Sequence, residues 1–214
     1  LHNAEMSTTP QPLNEHGIEA QQAEIKSRLA AARKPIHANN MRLVSDGLWT
    51  IPPSGETARE YLTDSIEDGG LTIATNMSDS TRYHAMGNTE TPTSERLEAS
   101  HVSLETDTVM PESLITSIQP HYQVPNPEAL PSYFRYAVRL AGPLLALGVN
   151  SPFFPPSLYD DDVSAQTVIN DAWMSHRIKV FETSLNTDQV RKVRFPEEFD
   201  TVEEAIDNIV ADRT

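Results

Sequence analysis

The sequence predicts an α+β fold, and three observations carry the prediction. Helical periodicity recurs in three separated places: 18–36, 131–147 and the tail after Phe195. Strand-like alternation appears between them, around 41–53, 114–124 and 177–184. Helices and non-adjacent strands therefore interleave along one chain, with no internal repeat and no low-complexity tract.

Taken in order, residues 1 to 12 read as a short strand or extended segment ended by "TTPQP". Asn14 is placed to cap a helix, with Gly17 weakening the first turn. In "IEAQQAEIKSRLAAARKPI", Ile18, Ile25, Leu29 and Ala32 recur at helical spacing, and Pro35 marks an end or a kink. "MRLVSDGLWTIPP" carries a turn signal at Ser45-Asp46-Gly47 between strand-like flanks. "SGETAREYLTDSIEDGG" is polar, with a short helix. Residues 60 to 112 hold eleven acids and two arginines, which predicts loops and short helices.

"LITSIQPHYQV", 114 to 124, alternates as a buried strand does. Pro131 suits a helix start, and Phe134, Val138, Ala141 and Leu145 line one side of the strongest helix. That helix is expected to lie buried against a sheet. It runs into Asn150-Ser151-Pro152, where the residue before proline is pushed out of the helical region. Asn150 is expected to take a left-handed cap or to bond its own backbone, and Phe153 and Phe154 to anchor the turn. Tyr159 to Trp173 reads as a loop and a helix, and "RIKVFETS" as a strand. The tail is an amphipathic acidic helix with Val202, Ile206, Ile209 and Val210 as its apolar side. The domain reading is 1–195 as one unit and 196–214 as this acidic helix.

Composition narrows the chemistry. The 214 residues suffice for one domain, or for one large piece of a bigger one, with a sizeable core. Thirty-one acids face sixteen basic residues, a net charge of −15. Lysine occurs only at 26, 34, 179 and 192. Such a surface repels nucleic acid and anionic membranes, so neither is an expected partner. It matches proteins of a high-salt cytoplasm, with an ordinary acidic protein as the alternative. Cysteine is absent, which excludes disulfides, zinc–thiolate sites and thiol nucleophiles. No apolar run of membrane-spanning length and no signal peptide is visible, and a cytoplasmic protein is expected. The first residue is Leu, so the chain is read as a piece of a longer one.

The familiar nucleotide, hydrolase and zinc-protease motifs are missing. An active site would have to be assembled from scattered carboxylates, His and Arg. Glu5, on a short strand, could ligate a hard cation such as Mg²⁺, or be a solvated acid. Gln119, His121 and Gln123 would share one face of the 114–124 strand, as a site floor or a plain solvated face. Arg82, in "TRYHAMGN", could hold a carboxylate or phosphate, or neutralise nearby acids. Arg177 and Lys179 would point the same way from a strand and form an anion clamp, or an exposed face.

These pieces, in this order, resemble the glutamate–cysteine ligase and carboxylate–amine ligase families. "AEMSTTPQPL" is similar to an E-x-S-x-x-P-type strand. "RYHAM" matches R-Y-x-x-M. "IQPHYQV" resembles a strand written Q-x-N or H-x-H. "LLALGVNSPF" matches the helix exit of the family, and "HRIKVF" an R-x-x-V/I-W/F strand. The resemblance covers residues 1 to about 185 and implies a glutamine-synthetase-like catalytic fold, a curved antiparallel sheet flanked by helices. It implies ATP-dependent activation of the γ-carboxylate of glutamate as an acyl phosphate, attacked by an amine, cysteine first among candidates. ATP and Mg²⁺ are the implied cofactors. Glu5 and His121 would be metal ligands, Gln119, His121 and Arg177 would bind nucleotide, and Arg177 and Arg82 would serve catalysis. The acidic pair of the family's first strand has no match here, so the chain is expected to be a central, incomplete portion. A non-catalytic binding member, a ligase for another amine, and an unrelated acidic α+β protein are the alternatives, and a homo-oligomer is left open.

Overall fold

In the computed structural model, residues 3–88, 96–186, 191 and 193–212 are described. The chain divides into two units, 2–45 and, with Leu1, 46–214.

The first unit is one long helix, α1 (Glu15–Ala38), with the preceding segment laid along it. Asn14 caps it: the side-chain oxygen accepts the Gly17 N–H at 2.8 Å. Gly17 is required rather than merely tolerated, since a Cβ there would lie 1.8 Å from the Pro12 carbonyl oxygen. Glu24 accepts from the Thr9 N–H at 3.1 Å and the Thr9 hydroxyl at 2.6 Å, and these bonds with the Arg28 pair hold its carboxyl below the usual range. Pro35 sits inside the last turn, and Asn39 closes the helix by donating to the Pro35 and Ile36 carbonyls. Of the two forms expected over 1–12, a short strand or an extended segment, no strand is formed among the described residues. The segment has no neighbouring strand in this unit to satisfy its backbone.

The second unit is α+β. Helix α2 (Ala58–Thr63) begins in a capping box between Thr57 and Glu60. Strands β1 (Ser65–Asp68) and β2 (Leu71–Ala74) pair antiparallel through Gly69-Gly70, both left-handed at φ 59° and 82°. That geometry is a two-residue primed hairpin turn, which favours glycine. Helix α3 (Thr81–Gly87) packs on β2. Strands β3 (Arg96–Ala99) and β4 (Val102–Glu105) form a second hairpin. The described residues thus hold two two-stranded sheets, not the one curved sheet expected.

Helices α4 (Leu130–Leu147), α5 (Ala165–Asp171), α6 (Arg177–Ser184) and α7 (Val202–Ala211) complete the unit. The core gathers Leu48, Leu62, Leu97, Leu104, Leu114, Phe154, Leu158 and Val180, all buried.

Four expectations are corrected. "RIKVFETS" is α6, because Val180 and Ser184, one turn apart, bury its face against β3 and the 110–114 turn. Residues 116–124 form no strand. Pro120 and Pro125 withdraw two ladder donors, and Ile118 and Tyr122, expected inside, are 93% and 67% exposed. Helix α4 packs on α7 and on the segment just before it, where the Phe134 and Phe199 ring centres lie 4.5 Å apart, and not on a sheet; Leu145 is exposed. Ile206, Ile209 and Val210 of α7 are exposed, and its buried residue is Ala205.

Candidate functional site

Arg177 opens α6 at a place where four passes of the second unit meet. Helix α4 stops at Leu147, and the Gly148 N–H donates to the Leu144 and Leu145 carbonyls at 3.0 Å each. The freed Gly148 carbonyl accepts from Arg177 Nη2 at 3.2 Å. Arg177 Nη1 donates to the Thr116 carbonyl at 3.3 Å. Thr116 in turn donates its N–H to the Gly47 carbonyl at 3.2 Å and its hydroxyl to the Asp46 carbonyl. Gly47 faces Asn150, whose amide is oriented to donate to the Gly148 carbonyl at 3.2 Å and accept from the Gly47 N–H at 3.3 Å. Asn150 is not left-handed, as the cap expectation had it; Gly148 ends the helix instead.

The corner after Asn150 braces the start of α6. Ser151 pairs in parallel with Ser175: its N–H donates to the Met174 carbonyl at 3.2 Å and its carbonyl accepts the His176 N–H at 2.9 Å. Phe154 is buried against the His176 ring at 5.0 Å, whereas Phe153 is 40% exposed, so only one of the two phenylalanines anchors the turn. The Tyr159 hydroxyl accepts the Phe154 N–H at 3.0 Å. Burial raises the phenol's pKa, opposed by that bond. Burial alone holds the His176 imidazole below its ordinary range.

Electrostatically the junction is cationic. Arg177 forms no ion pair among the described residues, and two of its N–H groups are spent on neutral carbonyls. The remaining donors and the positive end of α6 suit an anion. Lys179 does not join it. Residues two apart on a helix do not share a face, so Lys179 pairs with Glu182 at 3.0 Å and lies 4.8 Å over the Trp173 ring.

Of the other predicted residues in this unit, none bonds to Arg177 among the described residues. Gln119 and His121 are exposed on the irregular segment that leaves Thr116, with no hydrogen bond to Arg177. Arg82 is exposed on α3, and no hydrogen bond or ion pair joins it to Arg177. Glu5 is exposed in the first unit. Among the described residues no three His, Asp or Glu are grouped to hold a metal ion. A shallow acidic groove lined by Gly55, Glu56, Glu60, Thr63 and Asp64 contains none of the predicted residues.

Sequence reasoning missed His176 and the carbonyls of Gly148 and Thr116. Backbone acceptors leave no trace in residue type. The only signal for His176 was its place just before the arginine in "SHRIKVF".

A family model described as Glutamate-cysteine ligase family 2 (GCS2) matches residues 1–214. The chain belongs to this family. The resemblance drawn from "AEMSTTP", "RYHAM" and the N-S-P-F exit therefore holds, and family 2 membership points to a ligase of the carboxylate–amine type. No curated protein and no solved structure matches the chain. Among the described residues of this family 2 member, no helix is long and apolar enough to cross a membrane.

Proposed function

We propose that the chain contributes to an ATP-dependent ligase that joins glutamate to an amine, with cysteine as the favoured acceptor. In such a reaction a γ-carboxylate oxygen attacks the terminal phosphorus of ATP and ADP leaves. The amine nitrogen then attacks the acyl carbon, phosphate leaves, and the nitrogen loses a proton. ATP and Mg²⁺ are the cofactors this reading calls for.

The observation that carries the reading is the family match over the whole chain. Arg177 adds a role. Its guanidinium is fixed by two carbonyls and carries no carboxylate partner among the described residues, which suits it to hold a phosphate or the substrate carboxylate. Gln119 and His121 are proposed for the nucleotide floor, Glu5 and His121 for metal, and Arg82 for a secondary anion contact.

Full-length protein given glutamate, cysteine, ATP and Mg²⁺ is expected to release ADP only when both amino acids are present. Arg177→Ala is expected to lower kcat/KM by about 10²-fold or more, on the scale of losing one oriented donor to developing charge. ADP release that ignores both amino acids, or no release with any amine, would sink the reading. A second reading is a member that binds without catalysing, favoured by the lack of a carboxylate cluster among the described residues. ATP binding with no turnover in the full-length protein would select it.

A further inference from the structure

His176 sits directly before Arg177 and is 2% exposed. Its Nε2 accepts the Trp173 N–H at 3.1 Å, which assigns the ring proton to Nδ1. Nδ1 is buried with no hydrogen-bond partner, so the ring is held through Nε2 alone. The Ser151 and Ser175 hydroxyls in the same corner are likewise buried and unpartnered. One hydrogen bond thus ties the imidazole to the turn before α6, while the His176 backbone ties that turn to Ser151.

Among the described residues the surroundings offer an imidazolium no anionic partner. From the turn, Trp173 stacks on the ring at 6.5 Å. From the corner come Phe154, at 5.0 Å, and the neutral Tyr159 phenol behind it. From α6 come Arg177, its neighbour, and Lys179, which lies over Trp173; both are cations. The one acid nearby on α6, Glu182, is engaged by Lys179. No carboxylate bonds the ring among the described residues.

We propose that His176 is a positioning residue for Arg177: neutral, it locks the Trp173–His176 turn to Ser151 and sets the first residue of α6. A proton on Nε2 would replace the acceptor by a donor facing the Trp173 N–H. The turn then opens, and Arg177 leaves the Gly148 and Thr116 carbonyls. The anion-holding duty of Arg177 rests on the ligase reading above; the lock itself does not.

The sign of the linkage follows from burial. The folded imidazole titrates below the ordinary 6.5, so the unfolded chain takes up the proton first. The lock's stabilisation is complete above 6.5 and is lost as pH falls from there through the lower folded value.

Amide exchange of the full-length protein, corrected for the intrinsic pH dependence, tests the lock without any turnover. The protection factor of the Trp173 N–H is expected to fall at least about tenfold between about pH 7.5 and about pH 5, with the Arg177 Nε–H resonance shifting over the same range. His176→Gln keeps a neutral acceptor and should abolish both changes, along with the acid limb of ligase activity. The wild-type titration stands without this variant if it does not fold. Unchanged Trp173 protection across that range would overturn the lock. A lock that opens while the Arg177 resonance stays still would overturn the positioning role. Both changes without ligase turnover at any pH would support the lock and overturn the ligase reading.

Discussion

Gly47 and Asn150 face each other across the junction below Arg177. A Cβ on Gly47 would lie 2.1 Å from the end of the Asn150 amide that faces the Gly148 carbonyl and 3.0 Å from its Cγ. The amide would have to swing away and forfeit its links to Gly47 and Gly148. Gly47→Ala is therefore expected to destabilise the protein by about 1–3 kcal/mol in urea unfolding, and most of that cost should vanish when Asn150→Ala accompanies it. Additive costs would show that the two residues do not constrain each other. Asn150 was legible in the sequence as a helix-exit residue, but its partner Gly47, about a hundred positions earlier, was not. Arg177 was legible for the same reason that its bonds were not: a charged side chain is visible in a string of letters, whereas the carbonyl it seeks belongs to every residue alike.

At the scale of elements, local chemistry fixed what was read correctly. Asn14, expected as a cap, does cap α1 through its side chain; Thr57, Ser164 and Thr201, which the sequence reading did not single out, cap α2, α5 and α7 in the same way. Pro131 opens α4 as its fixed φ predicts. The failures were tertiary. "RIKVFETS" has β-branched alternation, yet it packs as a helix because β3 offers a surface for Val180 and Ser184. The Gly69-Gly70 pair is a hairpin signal that the sequence reading does not use: two adjacent left-handed glycines are what a tight hairpin requires. "LITSIQPHYQV" alternates well, but Pro120 interrupts it, and among the described residues its pairing is the single Leu48–Ile115 bridge at its start.

The whole molecule carries −15 of formal charge, and its acids are unevenly spread. From Leu130 to Tyr159, through α4 and the corner, there is no Asp or Glu. Repulsion therefore acts between the acidic remainder, on residues such as Asp160, Asp161 and Asp162 and on α7. Raising KCl from about 0.1 to about 1 M shortens the screening length from about 10 to about 3 Å, so Tm should rise. A flat or falling Tm would show that self-repulsion does not limit stability.

The corner at Ser151 also bears on the order in which the chain folds. Its neighbours are tied across long stretches of sequence: the Ala58 N–H to Ser157 and the Thr116 hydroxyl to Asp46, 99 and 70 residues apart. Loops of that length close at an entropic cost before any packing repays it, so local pieces such as α2 and the β1–β2 hairpin should assemble first. Phe154→Leu should then accelerate unfolding and leave refolding nearly unchanged in a chevron, whereas an equal slowing of refolding would place the corner in the folding nucleus. On this view the N-S-P-F exit acts as a late-closing clasp, and the residence time of the folded state depends on it more than the speed of reaching that state does.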